Sequence, residues 1–216
     1  SLGLVGSEMC IRDRPSSSIL TAERLVLNCM QRMSGIATKT QHIVKLLEGT
    51  KAQVLDTRKT TPGIRLLEKW AVKIGGGVNH RFGLYDMMMI KDNHIDFAGG
   101  IESAIAKAIN YQKDKGINIP IEVEARNLEE VNEILRVGNI QRIMLDNFSY
   151  EDTRVAVEQI GGRFETEASG GITEETIREH ALCGVDFISV GALTHSVNLS
   201  LIHISEPTRP RLISNA

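Results

Sequence analysis

Asp56–Ile95, DTRKTTPGIRLLEKWAVKIGGGVNHRFGLYDMMMIKDNHI, sets three clusters of charged and amide side chains between segments that read as buried core. Asp56-Thr57-Arg58-Lys59-Thr60 follows the apolar run ending at Leu55. Asn79-His80-Arg81 follows the triplet Gly75-Gly76-Gly77, and Lys91-Asp92-Asn93-His94 follows Met87-Met88-Met89-Ile90. A short apolar strand that stops abruptly in charge places those side chains at its carboxyl end. In parallel α/β folds that end is where ligands sit.

Outward from this stretch the chain alternates. On the amino-terminal side, Met30, Met33, Ile36, Ile43 and Leu47 recur at helical spacing between Ala22 and Glu48, with a break expected near Gly35 because glycine costs about 1 kcal/mol inside a helix. Gln53–Thr57 reads as the first strand. A helix then follows Pro62, with Ile64, Leu67, Trp70, Ala71 and Ile74 on its core face and Gly75 at its end. Asp86–Ile90 is the second strand, and the next helix carries Ile101, Ala104, Ile105 and Ala108 up to Gly116. Beyond it come strands at 119–124, 142–146, 163–168 and 186–190, separated by helices capped by Asn127, Ser149 and Thr173. Strands alternating with helices, without a tight hairpin signal, imply right-handed βαβ units and a parallel sheet.

Each strand's carboxyl end then carries chemistry: Asp56 with Arg58, Lys91 with Asp92, Glu124, Asp146, Ser169-Gly170-Gly171, and Gly191 leading to His195. A sheet closed into a barrel brings these to one mouth. The loops at Ser169–Thr173 and Gly191–Ser196 follow the last two strands, where glycines let backbone N–H groups approach a phosphate and the first loop is expected to open a helix. Glu124 and Asp146, at neighbouring strand ends, suit a Mg²⁺ held by one or two carboxylates plus substrate oxygens. The Met87–Met89 run reads as strand core, and His42 and His180 as helix surface or packing residues.

Composition narrows the function. With 216 residues and 42% hydrophobic content the chain can build one large domain or two small ones. A net charge of −2 gives no global basic field, and 4% aromatic residues give no base-stacking platform, so nucleic acid is not an expected partner. Cys10, Cys29 and Cys183 are too scattered for a disulfide framework or a cysteine-based zinc site, which fits a reducing, cytoplasmic setting. No apolar run approaches the roughly 18 residues that span a bilayer, so no membrane association is expected.

The ends differ from the middle. Residues 1–18 and 199–216 resemble translated sequencing adapter more than domain sequence and are set aside from the fold. This leaves a helical segment at 19–49 and a barrel at 50–198.

The motifs DTRKTTPG, GGGVNHR, IKDNH, the second glutamate of IEVEA, LDNF, ASGGIT and VGALTHS, in this order, resemble nicotinate-nucleotide pyrophosphorylase (carboxylating), also called quinolinate phosphoribosyltransferase. The resemblance covers about residues 19–198. It implies an incomplete TIM-like α/β barrel with parallel strands, preceded by a helical segment, with the family's amino-terminal α/β sandwich largely missing. It also implies transfer of phosphoribose from phosphoribosyl pyrophosphate to quinolinate with loss of CO2, in NAD biosynthesis, with Mg²⁺ and as a homodimer or larger homo-oligomer.

Carried over residue by residue, the resemblance places the quinolinate carboxylates on Arg24, Arg58, His80, Arg81 and Lys91. Glu124 and Asp146 then hold the metal and ribose, with Lys91 beside them at the reacting centre. Thr57 and Lys59 approach the pyrophosphate, and Ser169, Gly170, Gly171, Gly191 and His195 the 5′-phosphate. Arg24 lies ahead of the barrel and is expected to complete the partner subunit's site. The alternative from another class is a fragment that binds phosphate-bearing ligands without turnover, or only self-associates. An isomerase or aldolase barrel is a weaker reading, because no lysine is marked as a Schiff-base former rather than an anion ligand.

Overall fold

The computed structural model describes residues 16–198. By their contacts, residues 16–35 and Asn198 fall in one compact unit and Ile36–Val197 in a second. Helix α1, Ser16–Leu46, supplies the described part of the first and enters the second. The expected break at Gly35 does not occur. Ile36, Thr40, Ile43 and Leu47 are all buried at helical spacing, and burying several such side chains outweighs a single glycine's cost of about 1 kcal/mol. The helix also starts at Ser16, ahead of the segment expected at residue 19.

The second unit is built on β1 (Gln53–Leu55), α2 (Arg65–Ile74), β2 (Met88–Ile90), α3 (Asp92–Ala98), α4 (Ile101–Lys115), β3 (Ile121–Ala125) and α5 (Leu128–Val137). It continues through β4 (Arg142–Asp146), α6 (Tyr150–Ile160), β5 (Glu165–Ser169), α7 (Ile177–Leu182), β6 (Phe187–Ser189) and α8 (Ala192–His195). Strand order is β1-β6-β5-β4-β3-β2, parallel at every pairing. A further parallel bridge joins Leu55 to Val78. Among the described residues the sheet thus runs from the Val78 bridge to β2 with six strands, fewer than a full eight-stranded barrel, an α/β fold of the incomplete TIM-like kind.

Local chemistry explains the element ends. Asn127 accepts the Glu130 N–H at 2.9 Å, and Ser149 accepts the Asp152 N–H at 3.1 Å, so α5 and α6 begin where their caps stand. Gly116 and Gly161 end α4 and α6 in the left-handed conformation. Thr173, by contrast, opens only a turn, with its N–H on the Thr176 hydroxyl, and α7 starts at Ile177. The glycine triplet is a packing device. A Cβ on Gly75 would meet the Ala37 carbonyl oxygen at 2.5 Å, and one on Gly77 would meet the Thr40 methyl at 2.7 Å, so the loop lies directly on α1.

Helix α2 departs from its expected face. Trp70 and Ile74 are 57% and 61% exposed, and the inward place goes to Lys69 instead. Its ammonium donates to Asp56 and to the His80 carbonyl oxygen. Asp56 in turn accepts the His80 N–H at 2.9 Å. Burial pushes Asp56 up and Lys69 down, each opposed by the other's charge. Asp56 is thus a structural ion partner and does not face the barrel mouth.

Candidate active site

Strand alternation decides what enters the barrel. Along β3, β4 and β5 the apolar residues Ile121, Val123, Ile143, Leu145 and Ala168 take one face. The other carries Glu122 and Glu124, then Arg142, Met144 and Asp146, then Glu165, Glu167 and Ser169. With helices on the apolar face, the charged one lines the interior, and a cavity of about 920 Å³ opens at its carboxyl end.

Thr57, Arg58, Lys59, His80, Arg81, Lys91, Glu124, Asp146, Ser169, Gly170, Gly171, Gly191 and His195 all line this cavity. Arg24 does not. It is exposed on α1, in the first unit. Of the four strand-end carboxylates expected at the mouth, Asp56 and Asp92 are absent from the lining, and Glu167 takes a place there. Met89 also lines it, so part of the methionine run is cavity surface rather than sealed core. Asp92 instead starts α3, a short helix that the sequence reading does not include.

Four cations line the cavity together with Arg65. Arg58, Lys59 and Lys91 are exposed to the cavity, while Arg81 is only 9% exposed. The Arg81 guanidinium touches the Met87 carbonyl oxygen at 3.3 Å and the Met89 sulfur at 3.5 Å. Among the described residues no carboxylate pairs with it at salt-bridge distance. Burial first, and then Arg58, lower its pKa, opposed by the more distant Glu122 and Asp86. Arg65 was not foreseen in sequence. It donates to the Thr60 hydroxyl at 3.0 Å and the Phe82 carbonyl oxygen at 3.0 Å, tying the Arg58 loop to the Arg81 loop.

The lining also carries oxygen donors and glycine loops. Glu124 is 5% exposed with one oxygen 3.2 Å from the Lys91 ammonium, and Asp146 accepts from the Asn147 amide at 2.8 Å. At Gly170, φ is +98° and a Cβ would lie 2.2 Å from the Asn147 side-chain oxygen, so only glycine fits there. Since α7 starts only at Ile177, anion binding at this loop would rest on its own N–H groups rather than on a helix terminus. The Gly191 loop is tied to the first cation loop, because the Thr194 hydroxyl donates to the Lys59 carbonyl oxygen at 2.8 Å.

Beneath the cavity lies a charged group that sequence reasoning passed over. His80 Nε2 is 2.9 Å from Glu122 Oε2 and 3.4 Å from Glu167 Oε2, and both glutamates are fully buried. Neither contact is a well-aligned hydrogen bond: Nε2, both Glu122 oxygens and Glu167 Oε1 have no such partner. Arg142 donates to Glu167 at 3.1 Å and to Glu165 at 2.9 Å, and stacks on Phe187 at 4.0 Å. Burial would lower His80, but the two carboxylates outweigh it and push it up to about 9. A second ring proton, however, could go only on Nδ1, which already accepts the Arg81 N–H at 2.7 Å. Geometry therefore keeps the ring as its neutral Nε2–H tautomer. Burial and then Glu167 also raise Glu122, to about 7. The donor atoms of His80, Glu122 and Glu167 lie within 4.8 Å of one another, as metal ligands can. A protonated Nε2 is no ligand, though, and the set does not fit a cation.

Residues 36–205 match the family described as quinolinate phosphoribosyl transferase, C-terminal domain. The chain is 53% identical over 193 residues to the chloroplastic nicotinate-nucleotide pyrophosphorylase (carboxylating) of Arabidopsis thaliana, covering 83% of this chain and 55% of that protein. Among solved structures, the nicotinate-nucleotide pyrophosphorylase from Francisella tularensis is 48% identical, with a TM-score of 0.79 over 84% of this chain and 63% of that one. NadC from Streptococcus pyogenes is 43% identical, with a TM-score of 0.77 over 85% and 64%. The chain spans about half the length of the curated relatives it matches.

Proposed function

Because the chain belongs to the quinolinate phosphoribosyl transferase family through its carboxyl-terminal domain, we propose that its cavity is the site where quinolinate takes phosphoribose from phosphoribosyl pyrophosphate and loses CO2. The observation that carries this reading is Arg81, a buried guanidinium facing the cavity with no carboxylate partner among the described residues. Such a cation is stabilised by an anion that arrives with the ligand. Arg58 and Lys91 add charge in the same cavity, which suits a planar dicarboxylate.

The cavity can hold both reactants at once. Ser169, Gly170, Gly171, Gly191 and His195 lie where a 5′-phosphate would dock, and Thr57 and Lys59 where the pyrophosphate would lie. Glu124 and Asp146, hard oxygen donors on neighbouring strands, fit Mg²⁺, and the ion when bound would neutralise the leaving pyrophosphate. The pyridine nitrogen attacks ribose C1 as the C–O bond to pyrophosphate breaks, through an oxocarbenium-like state, without a protein nucleophile. The 2-carboxylate then leaves as CO2, its electron pair held beside the cationic ring nitrogen until that carbon takes a proton. The chain's share is positioning and electrostatic stabilisation.

Two finer points belong to the same proposal. The active assembly is a homodimer in which Arg24 reaches the partner's cavity; its exposure on α1 agrees with this. The setting is reducing and cytoplasmic, which the free thiols of Cys29 and Cys183 support.

Incubating the chain with quinolinate, phosphoribosyl pyrophosphate and Mg²⁺ should yield nicotinate mononucleotide. Calorimetry with quinolinate alone separates binding from turnover. Failure to bind overturns the reading, and binding without product would favour a ligand-binding fragment.

A further inference from the structure

Four polar atoms buried under the cavity without an aligned partner, His80 Nε2, both Glu122 oxygens and Glu167 Oε1, represent a cost that a barrel interior could avoid with apolar residues. Glu122 does not line the cavity and so cannot be a ligand contact, while Glu167, two residues before the strand-end Ser169, is fully buried although it borders the lining. What both carboxylates face is one nitrogen of His80. The ring's other nitrogen receives the backbone N–H of Arg81 at 2.7 Å. With both nitrogens turned to protein, His80 can offer a ligand in the cavity only the edge or face of its ring.

We propose that Glu122 and Glu167 are positioning residues: by holding Nε2–H between them they fix the His80 ring, whose Nδ1 anchors the Arg81 backbone and so aims the Arg81 guanidinium into the cavity. Arg142 secures Glu167 from beneath, through the 3.1 Å contact, and is itself secured by Glu165. An unbroken chain of side chains thus runs from the amino-terminal end of the strands to the cation that meets the ligand. His80 acts through Arg81 rather than as a second cation for the dicarboxylate. The ligand part of this inference rests on the function proposed above; the tautomer part does not.

The test uses the 216-residue chain with ¹⁵N-labelled histidine at pH 8, the His80 signals being assigned by their loss in His80→Gln. The expected wild-type spectrum shows His80 as the Nε2–H tautomer. Glu122→Met with Glu167→Met, which keeps bulk but removes both acceptors, should release the ring into a mixture of tautomers. It should also weaken pyridine-2,3-dicarboxylate binding by about tenfold or more, the size of one charge-assisted hydrogen bond lost. Inorganic phosphate binding at the glycine loops should change by less than about twofold. Glu122→Gln with Glu167→Gln, whose amide oxygens still accept, should restore both tautomer and dicarboxylate affinity. Should the double methionine variant not fold, Glu122→Met, which leaves Arg142 its partners and Glu167 as the remaining acceptor at 3.4 Å, should shift the tautomer ratio part of the way, and an unchanged ratio counts against the proposal.

Persistence of the Nε2–H tautomer in the methionine variants overturns the proposal, and so does equal weakening of both ligands. If the wild-type chain binds no dicarboxylate, the functional reading falls, and positioning is decided by the spectrum alone.

Discussion

The ammonium of Lys69 and the carboxylate of Asp56 form an ion pair wholly inside the protein, with side-chain exposures of 1% and 0%. Asp56 also accepts the backbone N–H of His80, and Lys69 donates to its carbonyl oxygen. The pair therefore clamps the segment that carries His80 and Arg81 against β1. Removing one partner strands the other charge in the core. Lys69→Met should cost about 3–5 kcal/mol in urea unfolding, and Asp56→Leu with Lys69→Met should recover most of that loss. A single-variant cost under about 1 kcal/mol would show that the pair is dispensable.

The glycine triplet yields a second, independent test. At Gly77 an added methyl would stand 2.7 Å from the Thr40 methyl and 2.9 Å from Val72, in a region with no room to yield. Gly77→Ala should destabilise the chain by about 1–3 kcal/mol. Thr40→Ala made alongside it should relieve part of that cost, and strictly additive effects would mean that the two sites do not touch.

Glu122 makes stability depend on pH in a defined direction. Its ordinary pKa of 4.5 is raised to about 7 in the folded chain. The folded state thus holds a proton that the unfolded state has released, and stability from this source is complete below 4.5 and lost as pH rises through about 7. Glu122→Gln mimics the protonated form. Its melting temperature relative to wild type should rise steadily between pH 4.5 and pH 8, and a constant difference across that window would place the proton elsewhere.

The order of strands and helices was legible in the chain because caps and terminators act locally. Asn127, Ser149, Gly116 and Gly161 each work within a few residues of where they stand. The cavity lining was legible for a related reason, since the strand ends point to a common mouth once the sheet curls. What escaped was non-local. Lys69 sits in a helix pattern whose apolar face reads through Trp70 and Ile74, and only Asp56, thirteen residues earlier, explains its inward turn. The buried Glu122, Arg142 and Glu167 did leave a trace. In IEVEA every second residue is polar, and in RIMLD Arg142 and Asp146 share a face with Met144, although helices flank both strands, a pattern that fits a barrel with a charged interior.

The contact between Lys91 and Glu124 leads to the last prediction. The ammonium stands 3.2 Å from one oxygen of a carboxylate that is otherwise free to take a divalent cation, and the lysine side chain is 46% exposed. Ammonium and metal would compete for that oxygen. Lys91→Met should therefore raise the affinity of the chain for Mg²⁺ in the presence of phosphoribosyl pyrophosphate, by about three- to tenfold for the loss of one nearby, partly screened charge. The same substitution should weaken quinolinate binding, because it removes a cation from the dicarboxylate side. Asp146→Asn should lower Mg²⁺ affinity and leave quinolinate nearly unaffected. Calorimetric titration of each ligand into each variant reads these opposite signs directly. If Lys91→Met weakens both ligands together, Lys91 supports the metal instead of competing with it, and the division of the cavity into a carboxylate side and a metal side is wrong.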